Sequence, residues 1–122
     1  MNKIARVIVV MIILMGMFVS LSPIKVFAVN YIIAASNSSG YWKGIATAVC
    51  DGTADQTEIN TYLTTGNTVQ LAPGTFNISG NILPTQGSHL YGQGITTILN
   101  ITAGSIECDN DGNIELDHFK VQ

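Results

Sequence analysis

The sequence predicts a mainly β fold: a solenoid of about two to three strand–turn–strand coils, closed on its N-terminal side by a helix and incomplete on its C-terminal side. Three observations carry this expectation. Segments that open "GNTVQLAPGTFNI" at Gly66, "GSHLYGQGITTIL" at Gly87 and "GNIELDHFKVQ" at Gly112 repeat the order glycine, strand, turn, strand at spacings of roughly 21 and 25 residues, which is the signature of stacked repeats. Within them the apolar residues alternate with a period of two: Val69 and Leu71, Phe76 and Ile78; Leu90, then Leu99 and Ile101; Ile114 and Leu116, Phe119 and Val121. Ahead of them, "DGTADQTEINTYLTTG" has the capping residues and apolar spacing of a helix.

The first element is expected to be a transport signal. Lys3 and Arg6 precede an uncharged apolar run from Val7 to Leu21, followed by Ser22, Pro23 and "VFA", the layout of a secretory signal peptide over residues 1–28. About 15 helical residues reach roughly 22 Å, short of the ~30 Å hydrocarbon core. Cleavage after Ala28 is therefore expected, with the mature chain secreted or at the cell surface and no membrane contact after the cut. That mature chain has two lysines, Lys43 and Lys120, against eight acidic residues. A chain so poor in cations has no electrostatic footprint for nucleic acid or anionic lipid.

Residues 29–65 are expected to form a strand and a helical cap. "YIIAA" from Tyr31 to Ala35 is β-prone and "SNSSG" ends it. Trp42, Ile45 and Val49 follow at helical spacing, weakened by Gly44. Thr53 or Asp55 is placed to cap the next helix, with Gln56 or Glu58 completing a capping box; Ile59, Tyr62 and Leu63 form its apolar face and Gly66 stops it. Asp51, Asp55 and Glu58 do not fit a calcium loop, because the glycine is second rather than sixth, and acidic residues in a first helical turn suit the helix dipole.

Residues 66–122 are expected to form the first coils. A hairpin through Ala72, Pro73 and Gly74 is locally compatible, but it leaves the recurrence in "SHLYGQGITTIL" unexplained. Gly92 and Gly94 lack the third glycine and following helix of a nucleotide-binding turn. "ELDHFKVQ" stops inside the third coil, so self-association through an open C-terminal coil is expected.

"AVCDGTADQTEIN", "QLAPGTFNISGNI" and "LYGQGITTIL" together resemble the N-terminal part of right-handed parallel β-helix proteins of the pectate-lyase-like superfamily, over about Tyr31 to Gln122. The resemblance implies that Asp55 to Leu63 plugs the first coil, that Pro73 to Phe76 is the first turn and Gly92 to Gly94 the second. It also implies polysaccharide as the partner, bound or degraded when the protein is complete. It gives this chain no catalytic residue: the family's catalytic groups come from later coils, and no arginine follows Arg6. The other class in view is a non-catalytic surface, adhesin or fibre-like protein.

The remaining chemistry is sparse. Cys50 and Cys108 either close a long disulfide or stand as separate thiols. With His89 and His118 they are too scattered for a zinc site, and the two histidines occupy non-equivalent repeat positions, which argues against a shared site. Glu107, Asp109, Asp111, Glu115 and Asp117 offer oxygen ligands for weak Ca²⁺ binding, or a solvated face that keeps the chain soluble. No other cofactor is expected. Asn37, Asn77 and Asn100 each begin an N-x-S/T sequon.

Overall fold

The computed structural model describes residues 30–108 and 113–122, so the signal-peptide reading, Asp109, Asp111 and Gly112 lie outside the described residues. Among the described residues no helix is long and apolar enough to cross a membrane. The elements are β1 (Asn30–Ala34), α1 (Gly40–Ile45), β2 (Ala48–Val49), α2 (Gln56–Tyr62), β3 (Thr68–Leu71), β4 (Gly74–Ile78), β5 (His89–Tyr91), a 3-10 turn (Gly94–Thr96), β6 (Thr97–Ile101), β7 (Glu115–Asp117) and β8 (Lys120–Val121).

Among the described residues every strand pair is parallel. One sheet runs β2-β1-β3-β5-β7 and the other β4-β6-β8. The hairpin is therefore absent: β3 pairs with β1 and β5, while β4 pairs with β6 in the other sheet. Val69, Leu90 and Leu116 stand in register, as do Phe76 and Leu99, then Leu99 and Val121. The alternating residues Val69, Leu71, Phe76, Ile78, Leu90 and Leu99 are fully buried and form one core with Ile33, Ile59 and Leu63.

The expectation of a mainly β, right-handed parallel β-helix is overturned. The described chain is two small parallel sheets with short helices, an α/β-type arrangement. No third wall of strands closes the repeats among the described residues. The physical reason lies between β4 and β5, where Gly80, Pro84 and Gly87 interrupt the backbone and Ile82 is the lone buried aliphatic; it makes only an isolated bridge to Ile106. The glycine-led repeat thus specifies parallel neighbours without specifying closure.

Two local readings also change. Trp42, Ile45 and Val49 do not share a helix, because α1 ends at Ile45 and Val49 lies in β2, with both Ile45 and Val49 exposed. The capping box does not form. Asp55 stands at the N-cap of α2, but its side chain makes no cap hydrogen bond there. Its Oδ1 accepts from Gly52 N–H at 2.9 Å and its Oδ2 from Asn77 N–H at 2.8 Å.

This contact is one of a series. Along the outer edge of β4 and the segment after it, every second residue is met by a side chain. Ser38 Oγ donates to the Pro73 carbonyl at 2.7 Å, and Asn37 Oδ1 accepts from Thr75 N–H at 2.8 Å. Gln56 Oε1 accepts from Ser79 N–H at 3.1 Å; Asn60 donates to the Asn81 carbonyl at 2.8 Å and accepts from Leu83 N–H at 2.9 Å. An edge strand's unpaired backbone groups are thereby satisfied without another strand. Gly74 permits the close approach: a Cβ there would stand 2.8 Å from Ser38 Oγ and 2.9 Å from Ala35 Cβ.

Candidate binding face

In-register parallel pairing stacks residues two apart on the same face. On the solvent side of the five-stranded sheet this gives two rows, Thr68–His89–Glu115 and Gln70–Tyr91–Asp117, while Val69 and Leu90 point into the core. The rows are bonded across strands. Tyr91 Oη donates to Gln70 Oε1 at 2.8 Å. The rings of His89 and Tyr91 lie 5.1 Å apart, tilted by 32°.

His89 lies between two carboxylates, with Nδ1 3.6 Å from Glu115 Oε2 and Nε2 3.4 Å from Asp117 Oδ1. His118 Nδ1 reaches the same Asp117 oxygen at 3.1 Å. The hydrogen bond from His118, and then that from His89, holds the Asp117 carboxyl below the usual carboxylate range. His118 has a φ of 55°, a left-handed conformation uncommon for a residue with a side chain. Its carbonyl accepts from Gly94 N–H at 2.6 Å, and a Cβ on Gly92 would stand 2.5 Å from that oxygen. The "GQG" turn is thus the seat of the β7–β8 corner.

Beside the rows opens a cavity of about 390 Å³, lined by Thr68, Ser88, His89, Asn113 and Glu115 with the backbone of Gly66 and Gly87. Ser88 is 1% exposed, and its Oγ has no hydrogen-bond partner. A buried hydroxyl left unpaired is costly, and this one borders the cavity.

Among the described residues, the members of the acidic group singled out in the sequence point to different partners. Glu107 accepts from Asn81 Nδ2 at 2.6 Å and from Ser105 Oγ at 3.2 Å, whereas Glu115 and Asp117 face His89. Cys50 and Cys108 are both free thiols, the first buried and the second exposed. The sequon asparagines are structural partners: Asn37 holds Thr75, Asn77 Nδ2 donates to the Gly52 carbonyl at 3.0 Å, and Asn100 Nδ2 donates to Asn77 Oδ1 at 3.0 Å. Thr68, Tyr91 and the convergence of His89 and His118 on Asp117 escaped the sequence reading. Aligning "TVQ", "HLY" and "ELD" on their central apolar residue is the signal that exposes these rows.

The chain matches no protein-family model, no curated protein and no solved structure.

Proposed function

We propose that the chain is a non-catalytic glycan-binding module that works outside the cytoplasm, using the outward face of the five-stranded sheet. The observation that carries the reading is the pair of in-register rows, Thr68–His89–Glu115 and Gln70–Tyr91–Asp117, beside a cavity bordered by an unpartnered Ser88 hydroxyl. Sugar hydroxyls need paired donors and acceptors, which Thr68, Gln70, His89 and Glu115 supply, and the Tyr91 ring offers an apolar face to a pyranose. Glu115 and Asp117 give the face negative charge, so it suits a neutral glycan and repels a polyuronate. The signal-like N-terminus fits the same reading, since bulk polysaccharide lies outside the cell.

Binding without turnover follows from the position of His89. Its ring occupies the gap between Glu115 and Asp117, where a glycosidase with two working carboxylates holds the scissile bond. Calorimetry against neutral and uronate oligosaccharides tests the proposal. Neutral ligands should bind the wild type and bind Tyr91→Ala about tenfold more weakly, a change of about 1.4 kcal/mol. Equal affinity in both proteins, or a preference for uronates, would overturn it.

A second reading has its own observation. Leu116 and Val121, on the outermost strands β7 and β8, are 36% and 52% exposed, although their in-register neighbours Leu90 and Leu99 are fully buried. That apolar edge fits a second copy of the chain, paired strand to strand.

A further inference from the structure

Away from the sheet face, the chain gathers three potential ligands that share no sequence motif. Cys50 follows β2, and its N–H donates to the Ala34 carbonyl at 2.8 Å, which fixes it beside β1. Gly52, with a φ of 93°, turns the backbone towards α2. Asp55 and Glu58 are three residues apart at the start of that helix and so fall on one face. Ligand atoms of Cys50, Asp55 and Glu58 all lie within 4.8 Å of one another.

The group is buried and short of positive charge. Cys50 is 2% exposed and Asp55 is fully buried. Glu58 Oε2 is buried with no hydrogen-bond partner. Among the described residues the ion pairs involve His89 and His118, and none reaches Asp55 or Glu58. Lys43 is engaged by the Ser36 carbonyl at 2.9 Å. Burial, and then the charges of Asp55, Glu58 and Asp51, push the Cys50 thiol well above its ordinary range. Buried carboxylates require a cation or a full set of donors. The two backbone donors on Asp55 serve that residue and leave Glu58 Oε2 unserved.

We propose that Cys50, Asp55 and Glu58 form a binding site for a divalent cation of borderline softness, Zn²⁺ in type. A sulfur among the ligands favours such an ion over Ca²⁺ or Mg²⁺, which take oxygen alone. With Zn–S of about 2.3 Å and Zn–O of about 2.1 Å, ligand atoms in a tetrahedral site stand about 3.4–3.7 Å apart. The three side chains therefore draw together around the ion when it binds. On binding, the Cys50 S–H bond breaks, its proton leaves to the buffer and an S–Zn bond forms; the carboxylates donate lone pairs without proton transfer. A water completes the tetrahedron.

The test uses the full chain with Cys108→Ser, which leaves Cys50 as the sole thiol, and the probes Zn²⁺ and Cd²⁺. Calorimetry should give one ion per chain, and Cd²⁺ should produce the ultraviolet charge-transfer band of a thiolate–cadmium bond. Glu58→Gln should weaken binding by at least about tenfold, since even outer-shell partners of a metal are worth about 10–100-fold. Cys50→Ser should abolish the band. Glu58→Gln leaves the core and the Asp55 bonds in place, so it decides the matter if Cys50→Ser does not fold. No band with folded protein, or unaltered affinity in Glu58→Gln, overturns the proposal; so does binding of Ca²⁺ in preference to Zn²⁺.

Discussion

Asp55 grips Asn77 twice on one backbone edge: its Oδ2 accepts from Asn77 N–H at 2.8 Å, while its own N–H donates to the Asn77 carbonyl at 2.9 Å. A helix-start residue thereby imitates the neighbouring strand that β4 lacks. Removing the carboxylate leaves the N–H groups of Asn77 and Gly52 without their acceptor in a half-buried setting. Asp55→Ala should therefore cost about 2–4 kcal/mol, read as a lower urea midpoint, with Asp55→Asn costing less because one acceptor oxygen remains. Equal midpoints for wild type and Asp55→Ala would show that the edge is satisfied by other means.

The two thiols should differ sharply in reactivity. Thiolate is the attacking species, and Cys50 is buried with its thiol held protonated by burial and nearby carboxylates, whereas Cys108 is exposed. A chromogenic disulfide reagent at pH 8 should titrate one thiol per native chain and two in denaturant. Rapid labelling of both in the native state would contradict this placement.

Asp117 sets a pH dependence with a definite sign. Its folded pKa is depressed, chiefly by the hydrogen bond from His118, relative to an unfolded value of about 3.9. The associated stability is thus complete above that unfolded value and is lost as pH falls through the folded one. Solvent screening keeps the contribution small. Carboxyl-carbon NMR should show Asp117 titrating below ordinary aspartates, with the midpoint rising in His118→Ala; an ordinary midpoint in the wild type would rule out the contact.

Charge on the open edge should separate folding from association. Val121 lies on β8 and is half exposed, so Val121→Lys should leave the melting temperature within about 2 °C while reducing concentration-dependent association seen by light scattering. A purely monomeric wild type at high concentration would remove the edge as a contact between copies.

Much of the fold was legible because burial on one face leaves a period of two. Val69, Leu71, Phe76, Ile78, Leu90 and Leu99 are inward as the alternation predicts, whereas Leu116 and Val121, assigned inward by the same alternation, are exposed, and the helix from Asp55 to Leu63 is bounded within one residue at each end. Closure was not legible, because the recurrence of "GNTVQL" and "GSHLYG" encodes who pairs with whom and not whether a third side joins. The role of Asp55 was hidden for a different reason: a helix cap and a tertiary backbone clasp use the same carboxylate at the same place in the sequence. The site depended on register. His89 and His118 look unrelated along the chain, and meet at Asp117 only once "HLY" stacks on "ELD".

The clasped edge also limits what this molecule can become. With the β4 side served by Asn37, Ser38, Asp55, Gln56 and Asn60, and the five-stranded sheet ending on that side in the two-residue β2, the described residues offer head-to-tail contact between copies little strand edge beyond β2 itself. The other open edges, β7 and β8 of one copy, are left to meet those of another. Such an isologous contact uses itself up in forming a pair. Association of this chain should accordingly stop at two rather than run on into a filament.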